Sequence, residues 1–224
     1  MTYKQMIGLA GVLFTLAFIG MFSVSAAERA SLEGYPEMFF SNDFFQATFV
    51  VGEFAKSSDV IATAEIATSI QEDLEEYVKK HGHEPFEIET HGNTYEELKE
   101  LYMAVFEKKT QGRANVVNTV LDTSLNRTSI RDKNLIVVGG PCVNWVAAHV
   151  MNYPEDCTQD FLPGTGYIRV YPNGRGTIVI IAGFSDEDTR TAAQIAANHH
   201  DYRPNFVGNS FRVSSAVISQ ISVR

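Results

Sequence analysis

A chain of 224 residues with 45% apolar and 20% charged residues has the composition of a folded globular protein, which excludes a largely disordered chain. The net charge of −9 argues against nucleic acid as a partner, because a phosphate-binding surface requires clustered Lys and Arg, and the basic residues here are scattered. The length is enough for one sizeable α/β domain with a hydrophobic core.

The first 27 residues have the pattern of an export signal. A positive charge at Lys4 precedes an apolar run over residues 6–24, and small residues follow at positions 25–27. This arrangement predicts a secretory signal peptide with a small-residue cleavage site. An uncleaved N-terminal membrane anchor is the alternative, because the run is nearly long enough to cross a bilayer. In both cases residues 28–224, interpreted as a single compact α/β domain, face the outside.

An N-terminal half of this domain is predicted over about residues 46–125, after an irregular entry segment at residues 30–45. A β-rich run over residues 46–53 leads into a helical pattern over residues 57–82, with a serine N-cap, an acidic first turn and a basic last turn. The run FEIET at residues 86–90 follows closely enough to complete a βαβ unit.

A second helix with a Thr-x-x-Glu capping box is predicted over residues 94–110, and residues 115–124 are interpreted as a strand followed by a loop. The C-terminal half is predicted over about residues 131–224. It begins with an apolar strand at residues 134–138, which turns through two glycines into a short helix at residues 143–150.

An antiparallel hairpin is predicted over residues 166–184, around the turn Pro-Asn-Gly. Its second arm, residues 177–182, is continuously apolar, which is typical of a strand buried on both faces. A capping box at Ser185 opens a helix that ends near His199, and residues 211–224 are interpreted as a closing strand. The alternation of strands and helices predicts a layered α/β fold, with a mostly parallel sheet flanked by helices and an added antiparallel hairpin near the C-terminus.

The stretch VVGGPCVN, at the end of the strand at residues 134–138, allows three interpretations: a phosphate loop, a catalytic thiol or a scaffold corner. It lacks the Gly-x-Gly-x-x-Gly and Gly-Lys-Ser/Thr patterns of phosphate loops. A nucleophilic Cys142 would need a base, and His149 lies seven positions away in sequence, which is no evidence of a dyad. In an oxidising compartment two isolated cysteines usually pair, so we favour a disulfide between Cys142 and Cys157.

Glycines stand at three predicted strand ends and suggest a shared turn chemistry. A strand that turns sharply into a helix needs a positive φ or a close backbone approach, which only glycine supplies without strain. We therefore interpret the turn glycines as structural; they are Gly52, Gly139, Gly140 and Gly183.

Candidate ligand and modification sites are few. Asp186, Glu187 and Asp188 cluster in a first helical turn, where the helix dipole favours acids, and they lack the calcium-loop pattern. No cofactor is expected, with extracellular Ca²⁺ on these carboxylates as the open alternative. The histidine pairs at residues 81/83 and 199/200 are interpreted as solvated helix ends. Asn126 begins an Asn-x-Thr glycosylation sequon.

Three segments together resemble the archaeal S-layer protein family of the methanococcal type. FVVGEFAKSSDVIATAEIATSI (residues 49–70) is similar to the amino-terminal module of that family. KNLIVVGGPCVN (residues 133–144) and TIVIIAGFSDEDTRTAAQIAAN (residues 177–198) are similar to the carboxy-terminal module, with its Gly-Gly-Pro turn and its Ser-x-x-Asp-Thr-Arg helix start. This chain joins the two modules directly, without the long insertions that are usual in the family.

The resemblance implies a secreted, often glycosylated surface protein that builds a two-dimensional lattice and has no catalytic site. The first hypothesis is therefore a non-enzymatic cell-surface protein that acts through contacts with itself or with other envelope proteins. A second hypothesis is a secreted small-ligand-binding protein or hydrolase with a site at the carboxyl ends of the strands, where Gly52, Gly139 and Cys142 would line one crevice. A third is a cell-wall glycan-binding module.

Overall fold

A six-stranded mixed sheet is the centre of the computed structural model, which describes residues 30–41, 44–81 and 118–214. The strands are β3 (Thr48–Val51), β4 (Thr119–Leu121), β5 (Leu135–Val138), β6 (Thr165–Asn173), β7 (Gly176–Gly183) and β8 (Ser210–Ser214). Their order across the sheet is β4-β3-β5-β7-β6-β8.

Strand directions confirm the predicted α/β fold. The four neighbours β4, β3, β5 and β7 are parallel, whereas β6 is antiparallel to both β7 and β8. The β6–β7 hairpin pairs Asn173 with Gly176, so Gly174 and Arg175 form its tip. Gly174 has a φ of 64°, a conformation that glycine adopts without strain, and this explains the strong turn signal in the sequence.

Helices cover both faces of the sheet. The longest is α1 (Ser57–His81), in which both serines predicted as possible caps lie inside the helix; Ser58 Oγ has no hydrogen-bond partner among the described residues, and the backbone N–H of Lys56 donates to Asp59. α4 (Asp186–Ala197) has the predicted capping box, in which Ser185 and Asp188 exchange hydrogen bonds. α1 and α4 pack on one face and α3 on the other. The helices are α1 (Ser57–His81), α2 (Arg127–Ile130), α3 (Trp145–Val150), α4 (Asp186–Ala197) and α5 (His199–Tyr202).

The central strands are apolar on both sides because both sides are covered. In β7, Val179 and Ile181 belong to the core beneath α1 and α4, whereas Ile178 and Ile180 belong to the core beneath α3. All four are buried. The continuous apolar run that predicted a doubly buried strand is thereby confirmed, and this three-layer packing fixes which strand ends meet at each edge of the sheet.

The entry segment contains more regular structure than the sequence indicated. It forms 3₁₀ turns at Leu32–Gly34 and Glu37–Phe39, followed by a two-stranded ribbon of β1 (Phe40–Ser41) and β2 (Phe44–Phe45). Its aromatic rings pack individually; Tyr35, for example, stacks on Phe206 at 5.6 Å between ring centroids. Single-ring packing imposes no sequence period, which is why the segment showed none.

Several predicted elements lie outside the described residues: the export signal or anchor at residues 1–27, the strand at 86–90, the helix at 94–110, and the end of the closing strand beyond residue 214. The structure places β3 between two parallel neighbours, β5 and β4, and β4 lies in the segment predicted as strand plus loop. Within the described ranges, no helix combines the length and the apolarity that a bilayer crossing requires.

Candidate functional site

Asn144 occupies the point where the carboxyl ends of β3 and β5 meet. Its side-chain amide donates to the carbonyl oxygens of Val50 at 3.2 Å and Val138 at 3.4 Å. Its side-chain oxygen accepts the backbone N–H groups of Val146 and Ala147, which caps α3. Because Asn144 is buried and fully engaged, it ties two strands to the helix that follows them.

Two of the four turn glycines are required here for different reasons. A Cβ on Gly52 would lie 1.9 Å from the carbonyl oxygen of Val143, so the loop after β3 approaches the chain after β5 more closely than any side chain allows. Gly139 has a φ of 102°. At Gly140 a Cβ would make ordinary contacts at 3.7 Å and beyond, so this position needs neither property. Close approach to α4 constrains Gly183. Gly52 and Gly183 thus share close backbone approach, whereas Gly139 has a positive φ and Gly140 has neither property.

Asp122 joins a third strand end to this corner. It follows β4 directly, is buried, and accepts the backbone N–H of Glu53 at 2.8 Å with one carboxylate oxygen and that of Trp145 at 2.9 Å with the other. Its backbone carbonyl oxygen also accepts the indole N–H of Trp145 at 2.6 Å. One buried carboxylate therefore holds together the loops that follow β3, β4 and β5.

The crevice of the second hypothesis is filled by the chain itself. The loops that carry Gly52 and Gly139 do meet, but the space between them holds Val143 and Asn144. Cys142 forms a disulfide with Cys157, with their Cα atoms 5.0 Å apart, on the outside of this corner. The corner is thus built as scaffold, in agreement with our interpretation of the cysteines. The glycan-binding hypothesis stays a prediction.

Two of the three acidic residues at the start of α4 are engaged within the protein. Asp188 accepts hydrogen bonds from Ser185 in the capping box, and Asp186 pairs with Lys56 across the loop after β3. Among the described residues these three carboxylates do not form a converging group. Ca²⁺ binding by Asp186, Glu187 and Asp188 stays a prediction.

The sequon residue Asn126 is exposed and caps α2. Its side-chain oxygen accepts the backbone N–H groups of Thr128 at 3.0 Å and Ser129 at 2.9 Å. A glycan attaches to the side-chain nitrogen, so the capping oxygen would stay in place. Surface exposure is what the sequon predicted; whether the site carries a sugar stays a prediction.

A cluster of titratable groups, which we call the helix-end cluster, brings together Asp73 of α1 and His199 and His200 at the start of α5. One ligand atom from each residue lies within 4.8 Å of the other two. The interpretation of residues 199 and 200 as solvated caps is wrong for His199, whose side chain is 1% exposed. The histidines at residues 81 and 83 lie where the structure describes no side chains.

Burial dominates the electrostatics around this cluster. It lowers the pKa of His199, an effect that the carboxylate of Asp73 opposes. Burial, and then the charge of Asp73, raise the pKa of Tyr35, whose ring packs edge-on against His199 at 5.6 Å. The neutral imidazole of His199 is therefore the form favoured at pH 7.

Four exposed apolar side chains share the edge of the sheet at the carboxyl ends of the parallel strands. We call them the carboxyl-rim patch: Phe54, Leu121, Leu162 and Phe184. Phe54 is 75% exposed in the loop after β3, and Phe184 follows β7 directly. Val51 pairs with Leu121, so the carboxyl ends of β3 and β4 lie side by side at this edge. Exposed apolar side chains from four segments therefore lie at this one edge of the sheet.

The sequence did not predict the roles of the residues that organise the corner at the strand ends and the helix-end cluster. Asn144 precedes an apolar helix and carried a recognisable N-cap signal, but its two strand contacts had none. Asp122 and Asp73 carried no local signal, because their partners lie on other elements. His199 and His200 were noticed as a pair and assigned to solvent.

A comparison with protein families matches the chain to a model described as "S-layer like family, outer domain" over residues 31–199. The match covers well over half of the chain and includes all strands of the central sheet except β8. No curated protein shows a significant match.

Proposed function

Because the chain belongs to the S-layer like family, we propose that it is an exported structural protein of the cell surface that acts through contacts with further copies of itself. The single observation that carries this proposal is the length of the family match, which runs from the entry segment to the start of α5. The match includes strands from both halves of the sheet, and this supports a structural role for the domain without catalysis. The methanococcal affiliation is part of the same proposal.

The carboxyl-rim patch is the surface that we assign to self-association, with a second copy of this chain as the occupant. An exposed phenylalanine such as Phe54 stabilises an interface by the apolar area that it removes from water, on the order of 2 kcal/mol for a ring that becomes fully buried. Hydrogen bonds of Asp122 and Asn144 hold together the segments that follow β3, β4 and β5, next to the patch. The patch is therefore preorganised. A preorganised surface loses little conformational entropy on binding.

Two features favour export. Residues 1–27 have the pattern of a signal or anchor, and a disulfide on the outside of the domain suits an oxidising compartment. Occupancy of Asn126 can be tested by intact-mass measurement of the protein from cell envelopes. Thr128→Ala is the matched variant, because it removes the sequon and leaves the capping oxygen of Asn126 in place. Loss of a glycan mass in this variant is the expected result.

The proposal is tested by sedimentation velocity over a range of concentrations, with and without Ca²⁺. We expect the protein to self-associate, and the double variant Phe54→Ser/Phe184→Ser to remain monomeric at concentrations where the parent assembles. The control is Val207→Ser, because Val207 is also exposed but precedes β8, at the opposite edge of the sheet. A parent protein that stays monomeric at every concentration contradicts the proposal.

A further inference from the structure

We infer that the helix-end cluster is a binding site for a divalent transition metal of the Zn²⁺ type, held by Asp73, His199 and His200. The inference is independent of the proposed function. Buried polar atoms without a hydrogen-bond partner are concentrated at this cluster. Of the eight buried side-chain polar atoms without a hydrogen-bond partner among the described residues, five surround His199; they are both ring nitrogens of His199, Asp73 Oδ2, Tyr35 Oη and Glu37 Oε2.

Polar atoms of Asp73, His199 and His200 converge at this cluster. The Nε2 atom of His199 lies 3.5 Å from Asp73 Oδ2, a contact that does not meet hydrogen-bond geometry. The Nε2 atom of His200 lies 2.5 Å from Asp73 Oδ1. The side chains of consecutive helical residues ordinarily point about 100° apart. The imidazole rings of His199 and His200 nevertheless lie 4.0 Å apart between centroids, and both lie next to the carboxylate of Asp73.

The distance between His199 and Asp73 suits a small metal ion, whereas His200 and Asp73 form a direct hydrogen bond that metal binding would have to replace. With bonds of about 2.0–2.2 Å from zinc to nitrogen and oxygen, two ligand atoms of a tetrahedral site are about 3.3–3.5 Å apart. The separation of 3.5 Å between His199 and Asp73 falls in that range. A metal at this point would satisfy His199 Nε2 and Asp73 Oδ2 together, which no single hydrogen bond between them does.

Two of the three proposed ligands are buried, as expected for a specific binding site. The side chain of Asp73 is 9% exposed and that of His199 is 1% exposed, whereas that of His200 is 55% exposed and leaves a path from solvent. Ligating histidines usually donate their second ring N–H to an oxygen. Glu37 contributes to the electrostatics of His199, keeps one carboxylate oxygen unpartnered, and is oriented by its ion pair with Arg203.

The donor set selects the class of metal. Two imidazole nitrogens and one carboxylate suit Zn²⁺, Co²⁺, Ni²⁺ or Cu²⁺, whereas Ca²⁺ and Mg²⁺ require sites built from oxygen. Three protein ligands leave the fourth tetrahedral position to water. The metal would join α1 to α5, which are distant in sequence.

The test is titration of the EDTA-stripped protein with Zn²⁺ by calorimetry, and with Co²⁺ by visible absorption, which reports tetrahedral nitrogen and oxygen ligation. We expect one equivalent to bind, and we expect Asp73→Asn and His200→Gln each to weaken binding by at least about 100-fold, because even supporting residues outside the ligand set account for 10- to 100-fold. Two controls that should bind like the parent are His149→Gln, on α3, and His83→Gln.

Thermal unfolding supplies a second readout. Zn²⁺ should raise the Tm of the parent and leave that of His200→Gln unchanged, since only a folded-state ligand stabilises by mass action. His200 is more than half exposed, so this variant should fold even where Asp73→Asn does not. Binding that survives in His200→Gln, binding that is lost in His83→Gln instead, or no stoichiometric binding at all would overturn the inference.

Discussion

The backbone N–H of Trp145 donates to the buried carboxylate of Asp122 at 2.9 Å, and the indole N–H of the same tryptophan donates to the Asp122 carbonyl oxygen at 2.6 Å. The second carboxylate oxygen accepts the backbone N–H of Glu53 at 2.8 Å. This double contact anchors α3 to the end of β4 and to the loop after β3. One acidic side chain, whose two carboxylate partners are both backbone N–H groups, therefore joins the segments at the carboxyl ends of these strands.

Asp122→Asn should destabilise the protein by about 2–3 kcal/mol. The amide keeps one acceptor oxygen and turns an NH₂ group toward a backbone N–H, which leaves a buried donor unsatisfied. A decrease of that size corresponds to a fall in Tm of about 4–12 °C for a domain of this size. The measurement is denaturant unfolding, with the exposed Asp160→Asn as control, expected within about 0.5 kcal/mol of the parent. Equal stability of the two variants would contradict the anchoring role.

Gly52→Ala should be strongly destabilising, and Gly140→Ala, in the neighbouring turn, should be tolerated. The Cβ of the first variant would enter the backbone of Val143, and backbone cannot move aside by changing rotamer. We expect a loss of about 3 kcal/mol for Gly52→Ala. For Gly140→Ala we expect a change within about 1 kcal/mol in either direction. Thermal unfolding of the pair measures the difference; similar Tm values would show that the loops do not meet as described.

Removal of the disulfide by Cys142→Ala/Cys157→Ala should lower the free energy of unfolding by about 3 kcal/mol. The bond joins residues 15 positions apart, and loop-closure entropy assigns roughly that value to a loop of this length. The same decrease should follow when the parent is unfolded in reductant, because the bond lies on the outside of the domain. Reductant should have no effect on the double variant. A parent that is insensitive to reductant would contradict the pairing.

Asp59 should give the protein a pH-dependent stability. Burial raises the pKa of this carboxyl, and a hydrogen bond from the Lys56 N–H opposes the effect. The folded state therefore holds the proton at a pH where the unfolded chain has lost it, so this group destabilises the fold as pH rises above about 4. Asp59→Asn removes the ionisation. Its stability relative to the parent should be greatest at pH 7 and should shrink toward pH 4, as measured by urea unfolding.

The control for Asp59 is Asp160→Asn, which makes the same chemical change at an exposed position. A stability difference between Asp59→Asn and the parent that stays constant from pH 4 to pH 7 would contradict the effect of burial on this carboxyl.

Elements with local signals could be predicted from the sequence. The capping box at Ser185 fixed the start of α4, and the Pro-Asn-Gly turn fixed the β6–β7 hairpin, because both signals are carried by residues within three positions of each other. The doubly buried β7 followed from composition alone. These elements, with β3 and β5, were enough to establish the α/β class.

The contacts that organise the two sites could not be predicted, because they join residues far apart in sequence. Asn144 reaches Val50 across 94 positions, and His200 reaches Asp73 across 127. Neither partner carries a pattern that points to the other. Adjacent histidines after a helix are compatible with solvent or with burial, and only the packing of α5 against α1 decides between the two.

Electron microscopy of cell envelopes and of the purified protein at high concentration tests the central claim most directly. A structural member of the S-layer like family should appear as an ordered two-dimensional array, and Phe54→Ser/Phe184→Ser should abolish that order while Val207→Ser preserves it. Envelopes and protein preparations that show only dispersed single particles, with and without Ca²⁺, would contradict the account.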